Sequence, residues 1–320
     1  MTKMNKSIAL GVLAFNEEAH ILDVLTELKL FKLKIYVIND ASTDNTNLEI
    51  NKFNYDNLEV ITNSKNKGAG VSTKILLNKA KDDGYDFLVK IDGDGQFSAS
   101  DIEKIINIYV KKKYKFIKSN RFWESGIDGS IPIIRYLGNL IATLFLQIST
   151  GTNKIYDPLN GLFGISLEIT KYLNDKSYPK RYGYPYFLTI SAIINNFKTY
   201  QINNVVKYRD ETSNLNSIKM LFTILKLSIL FYFKKLIIKL KVGRYQKSAF
   251  YDILFIIFLL ISILLVFTLI FISFYAENSI ISTVNMLILT LFFSFCTVLF
   301  FSISFREEMK IRNEYIDIDK

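Results

Sequence analysis

The stretch Asp92-Gly93-Asp94-Gly95-Gln96 sets two carboxylates and a side-chain amide among glycines, directly after the apolar run Phe87–Ile91. Hard oxygen donors at this spacing suit Mg²⁺ or Mn²⁺, ions that commonly join a protein to substrate phosphates. The glycines let the backbone turn sharply and let a ligand come close. Taken alone, the stretch is equally well a solvated Asp/Gly turn. An EF-hand is excluded, because the D-x-[DN]-x-[DN]-G pattern and the twelfth-position Glu are missing. His20 and Cys296 are the single residues of their types, which rules out a multi-histidine metal centre, a disulfide framework and a cysteine-based metal site.

Such a loop needs a scaffold, and the surrounding periodicity supplies one. Ile8–Phe15, Lys34–Ile38, Leu58–Thr62 and Phe87–Ile91 are short apolar runs that read as buried strands. Glu18–Lys29 places Ile21, Leu22, Leu25 and Leu28 at helical spacing, a helix capped by Thr43 or Asp44 runs through Leu48 and Ile50, and another spans Val71–Lys81. Strands alternating with helices predict βαβ units and a parallel sheet covered on both faces. In such sheets ligands sit beyond the carboxyl ends of the strands. Here the successive ends carry Glu17, Asp40, the Gly68/Gly70 turn and Asp92/Asp94.

That series of strand ends, N-E, N-D-A-S-T-D-N-T, N-K-G-A-G and D-G-D-G-Q, resembles family 2 glycosyltransferases of the nucleotide-sugar-dependent type A fold. Within them it is most similar to the polyprenyl-phosphate sugar synthases, the dolichyl-phosphate mannose synthase group. The resemblance continues in Asn120-Arg121, in Asp157–Gly161 and in Tyr208–Ser213, and it covers roughly residues 7–215. It implies an α/β fold with a mostly parallel sheet, and a hexose moved from a nucleotide-diphosphate sugar to a polyprenyl phosphate, metal-dependent and inverting. It implies that Asp94 and Gln96 ligate the cation, with Asp92 ligating it or contacting the ribose. Glu17 and Asp40 then hold the base and ribose, Arg209 takes the diphosphate, and Arg121 and Arg135 surround the acceptor phosphate. Asn39 stands where the family more often has a first aspartate, and Pro185-Tyr186 stand where relatives carry an acidic residue. A phosphate acceptor is already anionic and needs no general base, whereas a sugar hydroxyl does. Glu124, Asp128 or Asp157 could serve as that base for a lipid-linked or surface saccharide acceptor, the alternative reaction. An inactive membrane-anchored binding protein is the third reading.

The strongly apolar stretches differ in kind. Ile131–Ile148, which contains Arg135, is apolar nearly all round, as a core helix or an interfacial one would be. Between Thr212 and Tyr251 there is no acidic residue, while lysines recur among Ile, Leu and Phe through Ile218–Leu240. That mixture predicts a helix lying in the headgroup plane. Although the net charge is +10, the density of Leu, Ile and Phe argues against a nucleic-acid patch. Tyr251–Tyr275 and Ile280–Phe305 each exceed the roughly 20 apolar residues that cross a bilayer. Residues 276–279 are too short for a domain, so the two form a hairpin. Lys and Arg flank the outer ends of the pair, which puts the catalytic domain and both termini in the cytoplasm at the inner membrane. No N-terminal signal peptide is visible. The expected organisation is residues 1–215 as the catalytic domain, 216–247 as interfacial helix, and 248–320 as the hairpin with a short tail. The sequence leaves a homo-oligomer open.

Overall fold

The computed structural model describes residues 7–122, 133–204, 217–275 and 280–319. The chain forms two compact units, Met1–Ile229 with Tyr315–Lys320, and Leu230–Glu314.

The first unit is a sheet flanked by helices. Its strands are β1 (Ile8–Ala14), β2 (Lys34–Asn39), β3 (Leu58–Thr62), β4 (Phe87–Asp92), β5 (Phe116–Asn120), β6 (Phe163–Ser166), β7 (Thr199–Asn203) and β8 (Ile316–Ile318). They lie in the order β3-β2-β1-β4-β6-β5-β7-β8. β1 is buried along its whole length, as a central strand covered on both faces must be, and this is why it reads as one apolar run. The helices of this unit are α1 (Ile21–Lys29), α2 (Thr46–Lys52), α3 (Ala69–Asp82), α4 (Ala99–Lys112), α5 (Ile133–Thr150) and α6 (Tyr184–Ile194); α7 (Ser217–Lys241) begins in it.

The pairings are parallel except at β6, which runs antiparallel to both β4 and β5. The sheet is therefore mixed, mostly parallel as the sequence implied, with one reversed strand in its middle. β8 was not foreseen. The tail pairs with β7, and Asp319 N donates to the Gln201 carbonyl at 2.8 Å.

α5 is amphipathic in an inverted sense. It buries Asn139, Thr143, Ser149 and Thr150 with Ala142 and Leu146, and it exposes Ile133, Ile134, Leu137, Leu140, Ile141 and Leu144. Asn139 Nδ2 and Thr143 Oγ1 both donate to the Tyr156 carbonyl at 2.8 Å, so the polar face has partners inside the protein. Among the described residues the apolar face stays exposed, apart from Tyr136, whose ring lies against Phe122.

The second unit contains the end of α7 with α8 (Gln246–Tyr275) and α9 (Ile280–Arg312). α8 and α9 pack along each other through aromatic pairs such as Phe258–Phe293 and Phe255–Phe301. Among the described residues, three helical segments are long and apolar enough to cross a membrane, with mean hydropathy over an 18-residue stretch of 3.4 within residues 243–272, 2.4 within 283–315 and 1.2 for α5. The last value is marginal, consistent with a helix that covers a protein surface on one side.

Candidate active site at the carboxyl edge of the sheet

The ladder hydrogen bonds carry past the strand ends and bring the predicted positions to one edge. Asp40 N donates to the Ala14 carbonyl, Gly93 N to Leu13 and Asn63 N to Asn39, each at 2.9 Å. Register places Leu13 beside Asp92 and Asn39 beside Thr62. Glu17 follows β1, and its Cγ would lie 3.5 Å from a Cβ built on Gly93, so Glu17 stands next to the Asp92–Gln96 loop. Within that loop Gln96 N donates to Asp94 Oδ1 at 3.1 Å, and Gly95 takes a φ of +67°, which favours glycine. A capping box between Ser98 and Asp101 starts α4 immediately afterwards and anchors the far end of the loop.

Asp40 has a second task that its sequence position does not reveal. Its carboxylate is 5% exposed and accepts from Asn63 Nδ2 at 2.7 Å, Lys67 N at 2.9 Å and Gly68 N at 2.7 Å. It thus fixes the glycine turn before α3. Gly68 has a φ of +92°, and added side chains at Gly68 or Gly70 would strike the Pro179–Arg181 strap. That strap closes on the turn through Val71 N to the Lys180 carbonyl at 3.0 Å and Tyr178 Oη to the Gly70 carbonyl at 2.9 Å.

Two lysines missed in the sequence reading lie behind the loop. Lys90 on β4 and Lys118 on β5 are fully buried, in runs that otherwise look like ordinary core strands. Register sets each opposite Phe163 on β6, so both side chains leave the same face of the sheet. Lys90 Nζ pairs with Asp92 Oδ1. Burial pulls the Lys90 amine down, but contact with Asp92 and with Tyr184 outweighs it and leaves the pKa above its ordinary value. Lys118 Nζ donates to the Asn160 carbonyl. Burial pushes its pKa down to about 7, with Arg121 and Lys90 adding to the fall and Asp157 and Asp92 opposing it. A lysine in an apolar run was the available signal, since buried amines are rare without a reason.

Arg121 and Asp157 form a bidentate pair, Nε to Oδ2 at 2.8 Å and Nη2 to Oδ1 at 3.0 Å, with Asp157 fully buried. Asp157, a candidate base for a hydroxyl acceptor, is thereby held in an ion pair with Arg121. Arg135 lies half-buried in the first turn of α5. Arg209, Glu124 and Asp128 lie outside the described residues, as does the Tyr208–Ser213 segment.

The donor set at the edge fits a small hard cation completed by substrate oxygens. Asp94 and Gln96 bring a carboxylate and an amide oxygen, and Asp92 keeps Oδ2 beyond its pairing with Lys90. Magnesium is usually held by one or two carboxylates plus phosphates and water. Among the described residues no group of three His, Cys, Asp or Glu could form an all-protein cage.

The likeness to known proteins agrees with this arrangement. The uncharacterized protein MJ0544 of Methanocaldococcus jannaschii is 26% identical over 229 residues, covering 69% of this chain and 96% of its own. A UDP-N-acetylglucosamine–dolichyl-phosphate N-acetylglucosaminyltransferase of Methanococcus voltae is 28% identical over 193 residues, covering 56% of this chain and 76% of that one. The structure of S. aureus TarS residues 1–349 with UDP-GlcNAc overlays with a TM-score of 0.51 at 15% identity, covering 79% of this chain and 80% of that one. At that identity the likeness speaks for the fold. The model of glycosyl transferase family 2 matches residues 10–171, through all the strand ends described above. The chain belongs to glycosyl transferase family 2 and is a glycosyltransferase.

Proposed function

We propose that the enzyme moves a hexose from a nucleotide-diphosphate sugar onto the phosphate of a polyprenyl lipid, undecaprenyl phosphate in a bacterium, with inversion at the anomeric carbon. The observation that carries this reading is the tie between α5 and the site. The Tyr156 carbonyl, which receives Asn139 and Thr143 of α5, directly precedes the Asp157 that grips Arg121. A helix with its apolar face outward is thus bonded to the segment that holds a candidate phosphate-binding arginine. Among the described residues, an exposed apolar face of this extent marks an interaction surface, and lipid matches its chemistry. The Methanococcus voltae relative is named for transfer to dolichyl phosphate.

In this reaction an acceptor phosphate oxygen attacks the anomeric carbon. The bond from that carbon to the donor diphosphate breaks, and its electron pair leaves with the nucleoside diphosphate. A phosphate monoester is anionic at neutral pH, so no side chain has to remove a proton. Arg121 and Arg135 carry positive charge toward that phosphate. Glu17 lies beside the metal-type loop to hold the ribose, and Asp40 shapes the glycine turn that receives the nucleotide. Arg209 is proposed for the diphosphate. Asp94, Gln96 and Asp92 would hold Mg²⁺ or Mn²⁺, which neutralises charge on the leaving diphosphate.

We place residues 1–215 as the catalytic domain at the cytoplasmic face of the inner membrane, α7 in the headgroup plane, and α8 and α9 as two spans. The pairing of β8 with β7 supports an even number of crossings, since the chain rejoins the same sheet after α9. Arg244, Lys247, Arg306 and Lys310 at the outer ends of the pair favour the cytoplasmic side. The test is to incubate membranes carrying the protein with a panel of labelled nucleotide sugars and added polyprenyl phosphate. The reading expects a charged, mild-acid-labile labelled lipid that needs Mg²⁺ or Mn²⁺. Label transferred without polyprenyl phosphate would count against it.

A further inference from the structure

Lys118 is costly where it stands. Its amine is fully buried, donates to one backbone carbonyl and lies 5.5 Å from the centre of the Phe163 ring, and burial drives its pKa down to about 7. The carboxylates that act on it are already matched, Asp157 by Arg121 and Asp92 by Lys90. With Lys118 protonated, these five side chains carry three positive and two negative charges, a surplus of one positive. A well-packed apolar side chain of similar volume is usually no worse, and often better, for stability than a buried charge. The position therefore asks for a reason other than stability.

The geometry supplies one. The Asn160 whose carbonyl receives Lys118 is itself buried, and its Nδ2 donates to the Ser119 carbonyl at 3.2 Å. The next residue, Gly161, abuts the Lys90–Asp92 pair. A Cβ there would collide with Asp92 Oδ2 and lie 3.2 Å from Lys90 Nζ. Three adjacent strands are thus linked in one line: Lys118 on β5, the Asn160–Gly161 turn leading into β6, and Asp92 with Lys90 on β4.

We propose that Lys118 is a positioning residue of the transfer site: it presses the Asn160–Gly161 turn against Asp92 and, in its protonated form, adds with Lys90 positive charge behind the departing diphosphate. The inference rests on the reading of this edge as the place where a nucleoside diphosphate leaves. Charge grows on that group only as the bond breaks, so a preset cation acts on the transition state more than on the bound donor.

Lys118→Met tests this in the full chain, in vesicles containing polyprenyl phosphate, with the labelled donor that the wild type uses. The variant should lose about 10–100-fold in kcat, with KM for the donor changed less than about threefold. Its unfolding midpoint should rise by roughly 5 °C, because a costly buried amine has gone. A merely structural strut would instead lower the midpoint. Unchanged kcat, or a Lys118→Met protein that unfolds earlier or fails to fold, overturns the proposal while wild-type transfer still stands. Wild-type vesicles that form no lipid product would bring down the parent reading as well, and so the two failures are told apart.

Discussion

In the helical unit, Lys239 Nζ lies 2.5 Å from Asp252 and 3.0 Å from Glu308, and Lys235 Nζ lies 2.9 Å from Glu308. Arg312 Nε reaches Glu308 at 3.2 Å, and Tyr232 Oη donates to Asp252 at 3.1 Å. In the sheet unit, Lys118 is equally buried but meets a carbonyl, beside carboxylates engaged elsewhere. Both units therefore bury lysines, and they match them differently. The helical cluster joins α7, α8 and α9; it too sets three cations against two carboxylates, but each of its cations reaches a carboxylate directly, as in a structural lock. In the sheet unit the Lys118 amine instead donates to the Asn160 carbonyl, while the nearby carboxylates are engaged by Arg121 and Lys90. Matched burial holds elements together, whereas unmatched burial is a cost that function has to justify.

The comparison breaks most sharply at Asp94. Asp94→Ala should cut transfer by about 10²–10³-fold or more while leaving the unfolding midpoint within a degree or two, because its role is toward ligand. Labelled-lipid formation and a thermal melt check both halves. Glu308→Gln should do the reverse. It strips the shared partner from Lys235, Lys239 and Arg312 and should cost about 3–5 kcal/mol, read by denaturation in detergent, with little change in kcat for the fraction that stays folded.

Gly161→Ala tests the contact itself. Its Cβ has no room beside Asp92 Oδ2, so the carboxylate must swing. Loss of about 10–100-fold in kcat, with at most about 1–3 kcal/mol of stability, is the expected result. A smaller effect is expected from pH. A base whose folded pKa is depressed, as Lys118 is, binds fewer protons than the unfolded chain between about 7 and its ordinary 10.5. This group's contribution to stability therefore rises with pH across that window and is flat below it. The midpoint advantage of Lys118→Met over wild type should accordingly shrink between about pH 7 and pH 9.5 in paired melts. The smallest effect is at the membrane face. Leu137→Glu on the exposed side of α5 should leave folding intact and slow turnover in vesicles by a few-fold, an outcome that short-chain soluble acceptors should not show.

Much of this architecture was legible because apolar strands stop abruptly at polar residues. Ile8–Ala14, Lys34–Asn39, Leu58–Thr62 and Phe87–Asp92 each end where the chemistry begins. The edge that they share follows from parallel register, which needs no knowledge of side-chain contacts. What stayed hidden was non-local. β6 enters between β4 and β5 from more than forty residues downstream of β5's end, and its reversal leaves no mark in local periodicity. Lys90 and Lys118 look like solvent-side interruptions until their neighbouring strands are known. Arg121 was read as a phosphate ligand, yet its partnership with Asp157 spans 36 positions of sequence. β8 escaped because a three-residue run has too little pattern to read.

The transferred sugar should end on a lipid phosphate, and the bond formed reports on it directly. Lipid made by the full chain in vesicles can be extracted, purified and analysed by mass and phosphorus resonance, beside a parallel Asp94→Ala sample. The expected product is a polyprenyl lipid bearing one hexose through a single phosphodiester, absent from the Asp94→Ala sample. A hexose joined to another sugar by a glycosidic bond, or the same phosphodiester made without Asp94, would contradict it.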